Sequence, residues 1–275
     1  MRLLSLDVAA GALGAGIMVA GFLNQPMHWA WYLILPLAVW TIYTGDHLLD
    51  AYRLKENAST PRHQFHYKFI TMLSIIALFC VVVCIAMALL FLGKTGFYFG
   101  LGMGGLVLIH LALVKLVGER TSPFLVKEFG VALIYTLGIW GLPILEADLA
   151  GEGIAMLPMV QFLLLALANL LTFSLFEHDL DEADGQTSFV RALGKPFSLS
   201  LIRLVLAAAV GIGAVVLTRY DTKAVMQVEM IIALMAAILA ALVFKMRWFA
   251  QNERYRAWGD GAFLLPFFYL LMQLL

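Results

Sequence analysis

Charge is what this sequence has least of. Only 13% of its 275 residues are Asp, Glu, Lys or Arg, about half of the roughly 25% that a water-covered domain carries. With 63% hydrophobic residues and a mean hydropathy of +0.92, a surface facing water on all sides is excluded. Charge of one sign is missing too. The net charge is zero and no basic run occurs, so no nucleic-acid partner is expected. Cysteine is almost absent. Cys80 and Cys84 stand one helical turn apart in an apolar stretch, without the neighbouring ligands a metal site needs, and read as small core or lipid-facing residues. A cleavable leader is not expected either. Arg2 precedes an apolar run from Val8 to Leu23, but Asp7 interrupts its start and Asn24-Gln25-Pro26 is no small-residue cleavage site, so a retained first helix is expected. No strand precedes the glycines Gly100, Gly102, Gly104 and Gly105. That rules out a dinucleotide loop and, with the glycines of the first helix, predicts close helix packing.

What the sequence has instead is long apolar runs. A hydrocarbon core of about 30 Å takes about 20 apolar residues per helix, and lipid leaves the backbone no partner outside its own helix. Nine spans are expected: 8–24, 28–46, 69–92, 97–117, 124–145, 156–176, 198–218, 225–244 and 258–274. The last opens with Gly259-Asp260-Gly261 and contains Pro266, so a kink is expected there. Lys and Arg divide unequally between the two ends. The N-terminal end holds Arg2, Arg53, Lys55, Arg62, Lys68, Lys115, Arg120, Lys127, Arg191, Lys195, Lys245, Arg247, Arg254 and Arg256, and the other end only Lys94, Arg219 and Lys223. The positive-inside bias then predicts a cytoplasmic N-terminus, an outside C-terminus and a cell (inner) membrane location. The long polar connections, 47–68 and 177–197, fall on the same cytoplasmic side.

Both connections begin with acids. Helix two ends in Asp46 and Asp50, and helix six in Glu177 and Asp181, with Asp184 further on. The i, i+4 spacing puts each pair on one helix face, and four intervening spans return both pairs to one membrane side. Two carboxylate pairs facing each other repel unless a cation lies between them. Mg²⁺ binds through one or two carboxylates plus substrate phosphates, so a diphosphate bridged by Mg²⁺ to Asp46, Asp50, Glu177 and Asp181 fits these residues. Arg53, Arg62, Lys68, Arg120, Arg191 and Lys195 are candidates for the remaining diphosphate oxygens. The bland alternative is a set of solvated acids at helix ends. Four histidines, His47, His63, His66 and His178, lie in the same region without forming a compact zinc set. Trp40, Tyr43, Phe173 and Phe176 lie within about two turns of the acids and are either cation–π partners or ordinary packing residues.

The second cluster, Glu177-x-x-x-Asp181-x-x-x-Gly185-x-x-Ser188 closing at Leu193-Gly194, resembles the second Asp-rich motif of the UbiA superfamily of intramembrane prenyltransferases. Glu119-Arg120-Thr121 and Gly138-Ile139-Trp140-Gly141-Leu142-Pro143 are similar to further stretches of that family. The first motif departs from it: Asp46 stands at the family's Asn, His47 at its first Asp, Asp50 at the second and Leu54 at the third. One metal, a shifted metal, an unusual substrate or a lost chemistry all stay open. The resemblance implies one all-α domain over 1–275, a nine-helix bundle whose central cavity opens to the cytoplasmic side. It implies Mg²⁺-dependent transfer of a prenyl group from a prenyl diphosphate to an aromatic or other lipophilic acceptor, with Asp50, Asp181 and Arg120 in catalytic roles. A terpene cyclase of the same fold, a secondary transporter and a silent scaffold are the rivals. Transporters hold their ionisable groups near the midplane, whereas these acids sit at helix ends.

Overall fold

In a computed structural model, residues 4–54, 61–117, 124–147, 149–183 and 189–274 are described, and every regular element among them is helical. The long helices are α1 (Leu6–Phe22), α2 (Trp29–Leu54), α4 (Ile70–Phe91), α5 (Gly93–Val117), α6 (Phe124–Glu146), α7 (Leu149–Ala183), α9 (Lys195–Arg219) and α10 (Lys223–Phe244). Short helices α3 (Pro61–Lys68), α8 (Phe189–Leu193) and α11 (Met246–Ala250) lie between them, and α12 (Arg254–Ala262) and α13 (Phe268–Gln273) follow. At 1.5 Å per residue, 22 residues of α4 span about 33 Å, enough to cross a bilayer.

Six of these helices are long and apolar enough to cross a membrane, and α1 is a shorter apolar helix of 17 residues. α2 has the length, but its three tryptophans and three tyrosines dilute its apolar character. The expected ninth span is divided. α12 ends at Ala262, and a 3₁₀ turn holding Pro266 leads into α13. Proline lacks an N–H and cannot continue the ladder of α12.

Neighbours in sequence pack as neighbours in space: α1 on α2, α2 on α4, then α5, α6, α7, α9 and α10 in turn, and α12 with the following turn closes back onto α1. The outward side chains are those a soluble domain would bury. On α4, Ile75, Leu78, Phe79, Val82, Leu89 and Leu90 are all exposed. A band of this extent would aggregate in water, and it suits lipid. The chain is a multi-pass membrane protein.

The glycines of α1 behave as expected. A Cβ on Gly14 would stand 2.7 Å from the ring of Phe267, and one on Gly21 2.6 Å from Tyr269. Small residues on α1 therefore let the C-terminal segment close the ring. In α5 the expectation fails: Gly100, Gly102, Gly104 and Gly105 have nothing within 4 Å of an added Cβ. One polar contact ties three helices together within the apolar layer. Gln161 of α7 donates to Glu229 of α10 (2.9 Å) and to the Ala209 carbonyl of α9 (3.1 Å), and Gly213 provides the room beside them.

Candidate active-site cavity

A cavity opens at the end of the bundle that carries the N-terminus. Its wall is built by α1 (Ser5, Asp7, Val8), α2 (Tyr43), α6 (Val131, Ala132, Tyr135), α7 (Ala166, Asn169, Leu170, Phe173) and α12 (Arg256, Asp260), with Phe263 below and Arg62 of α3 above. The lower wall is apolar and aromatic, and the charged groups gather toward the mouth.

Arg62 is the hub of these charges. Its Nη1 donates to His47 Nε2 at 3.2 Å, which ties it to α2. His66, one turn further along α3, donates from Nδ1 to the Arg62 carbonyl (2.9 Å) and sits edge-to-face against His47. On its other side Arg62 lies within electrostatic reach of Glu177, Asp260 and Asp7. Burial and the facing Arg256 lower its basicity, and these three carboxylates restore part of it. A second guanidinium completes the group. Arg256 pairs with Glu177 at 2.7 Å, both side chains being mostly buried. Burial opposes the charge of Arg256, but Glu177 and Tyr255 outweigh that and raise its pKa. The Tyr255 hydroxyl lies within electrostatic reach of the Glu177 carboxylate, and its ring stacks on Phe176 (centroids 4.4 Å apart, planes 4° apart). Arg256 lies over the rings of Phe173 and Tyr255.

α12 comes this close to α7 because residue 259 is glycine. A Cβ there would stand 2.5 Å from both Asn169 Oδ1 and a Phe173 ring carbon. The close approach carries Asp260, the next residue, into the cavity wall.

The residues expected from sequence divide into four sets. Arg62 lines the cavity, and Glu177 sits at its edge in the pair with Arg256. Asp46 and Asp50 lie on the last turns of α2, half-buried, with Asp46 acting electrostatically on Tyr43 and His110. Arg53 and Lys68 are exposed outside the cavity wall, and Lys195 is exposed in a pair with Asp179 at 3.1 Å. Asp181 and Arg191 belong to α7 and α8, but their side chains fall outside what the structure describes, and Arg120 lies wholly outside the described residues. Of the aromatics, Tyr43 and Phe173 line the cavity, while Phe176 packs on Tyr255. Asp7, Tyr255, Arg256 and Asp260 were not singled out as site residues. An acid at the start or inside of an apolar run is itself a functional signal, and both Asp7 and Asp260 carry it.

Among the described residues no group of three His, Cys, Asp or Glu side chains could hold a metal ion. Mg²⁺ does not need three, since phosphates and waters fill most of its shell.

No family model matches the chain, and no curated protein does. Solved structures do match. A UbiA homologue from Aeropyrum pernix K1, in its apo form, superposes with a TM-score of 0.73 at 15% identity, covering 97% of this chain and 98% of the other. A UbiA homologue from Archaeoglobus fulgidus bound to GPP and Mg²⁺ gives 0.66 at 11% identity, over 98% of both chains. A digeranylgeranylglyceryl phosphate synthase gives 0.61 at 10% identity, over the full length of both. The likeness is one of fold, and it runs through the whole bundle.

Proposed function

We propose that this membrane protein, built on the UbiA-type fold, transfers a prenyl group from a prenyl diphosphate to an aromatic or other lipophilic acceptor within the bilayer. The observation that carries the reading is the position of Arg62, hydrogen-bonded to His47 beside the α2 acids and electrostatically coupled to Glu177 at the end of α7. One guanidinium is thus tied to the end of α2 and lies within electrostatic reach of the end of α7, at the mouth of an aromatic cavity, where an anion would be received. The neighbour bound to GPP and Mg²⁺ supports the same substrate class. By the positive-inside bias, the cavity faces the cytoplasm.

Arg62 and Arg256 receive the diphosphate, and their charge counters the negative charge that develops as it leaves. Asp46, Asp50, Glu177 and Asp181 would hold Mg²⁺, which supplies further neutralisation of the leaving group. Glu177 keeps Arg256 turned toward the cavity until the anion arrives. Tyr43 and Phe173 present ring faces to the allylic carbon, where positive charge accumulates. The apolar lower wall, Val131, Ala132 and Leu170 among it, keeps water from capturing that carbon. Arg120 and Arg191 are proposed as further diphosphate ligands on motif and charge, with Arg53, Lys68 and Lys195 drawing the anion toward the mouth.

The purified protein, given geranyl diphosphate, Mg²⁺ and a panel of aromatic acceptors, is expected to release diphosphate and form a prenylated product. Asp50→Ala and Asp181→Ala should each lower the rate by at least about 100-fold, the scale of losing an electrostatic stabiliser. Unchanged turnover in both would overturn the assignment.

A further inference from the structure

We infer that a lateral groove between α9, α10, α11 and α12 is a seat for one anionic phospholipid of the surrounding bilayer. It lies at the cavity's end of the bundle, where α10 stops at Phe244 and the chain turns through Lys245 into α11. Its rim carries three cations, Arg203, Lys245 and Arg247, and no acidic residue lines it. Its wall is aliphatic, with Leu234, Ile238 and Leu265 among the lining residues.

The rim is arranged before any ligand arrives. The Arg203 guanidinium rests over the Phe244 ring at 5.5 Å, and Arg254 over the indole of Trp248 at 4.4 Å. Phe249 joins Trp248 to Trp258, with centroids 4.6 Å and 6.2 Å away. Trp248 and Trp258 are nonetheless half-exposed and border the groove. Tryptophan with its ring at headgroup level is the pattern of a membrane–water boundary. Basic pockets between transmembrane helices on that side hold anionic headgroups.

The charge complement chooses the occupant. A zwitterionic lipid brings no net charge to the three cations, whereas a phosphatidylglycerol-type headgroup offsets part of their charge while its chains follow the aliphatic wall. The groove shares no lining residue with the cavity, so lipid and prenyl diphosphate have separate seats.

The test uses the full chain in detergent, with thermal unfolding as the readout. Phosphatidylglycerol is expected to raise the midpoint more than phosphatidylcholine does. Combined Arg203→Gln, Lys245→Gln and Arg247→Gln should raise its half-saturating concentration on the order of 10- to 100-fold, as loss of three surface cations implies. The shift produced by geranyl diphosphate with Mg²⁺ should stay unchanged in that variant. Should the triple variant not fold, quenching by brominated phosphatidylglycerol replaces it. Quenching should exceed that by brominated phosphatidylcholine, and Trp258→Phe should reduce the difference. Equal responses to the two lipids, a triple variant that keeps its phosphatidylglycerol response, or displacement of the lipid by geranyl diphosphate would each overturn the inference.

Discussion

At the scale of single residues, the Glu177–Arg256 pair organises the mouth of the cavity. Removing one member strands the other in a poorly solvated place. Arg256→Ala is therefore expected to destabilise the protein by about 2–4 kcal/mol, near the lower end for a buried pair because some exposure remains. Adding Glu177→Gln should recover much of that loss, which a double-mutant cycle on unfolding free energies measures. His66 adds a pH dependence. Its burial lowers its pKa from the usual 6.5, so the fold prefers the neutral ring. This contribution is fully present above pH 6.5 and is lost as pH falls through the lower folded value. Thermal midpoints at pH 7.5 and pH 5.5 should differ less in His66→Gln than in the wild type. Sequence made Glu177 legible as an acid at the end of an apolar helix, and Arg62 as a cation in the polar connection on the same side. It did not reveal Asp7, Arg256 or Asp260 as neighbours, because α1 and α12 stand at opposite ends of the chain and meet only when the ring closes.

At the scale of elements, the close contact of α12 with α7 turns a helix end into a cavity wall. Gly259→Ala puts a methyl group against Asn169 and Phe173, so either those side chains or the axis of α12 must shift. Overpacking of this kind costs about 1–3 kcal/mol. If α12 moves, Arg256 and Asp260 move with it. The variant is expected to unfold at a lower temperature and to respond less to geranyl diphosphate, with both effects read in one thermal titration. The spans from α4 to α10 were readable because each is a continuous apolar run. In the C-terminal span Pro266 predicts a kink, but the sequence does not show that the turn around it parts α12 from α13 completely. The glycines of α5 were misread for a related reason. Small residues permit close packing, but a partner must be present, and among the described residues α5 has none at those positions.

At the scale of the molecule, the closed ring explains how so little charge suffices. Lipid covers the outer face, the apolar core holds the helices together, and the buried charges, Glu229 within the apolar layer apart, concentrate at one end. His47 stands where the resembled motif has its first Asp, and here its ring accepts a hydrogen bond from Arg62 instead. Bundle, end and acidic pairs were all visible in the pattern of apolar runs and polar connections. The arginine bridge was not, because it depends on how α3 folds back over the cavity.

The most direct test of this account is the thermal unfolding of the detergent-purified protein with geranyl diphosphate, with and without Mg²⁺. A ligand at 100 times its Kd stabilises the native state by about 2.7 kcal/mol, an easily read shift. The account predicts a clear rise in midpoint that needs Mg²⁺ and disappears in Arg62→Ala. A shift of equal size without Mg²⁺, or one that survives in Arg62→Ala, would contradict it.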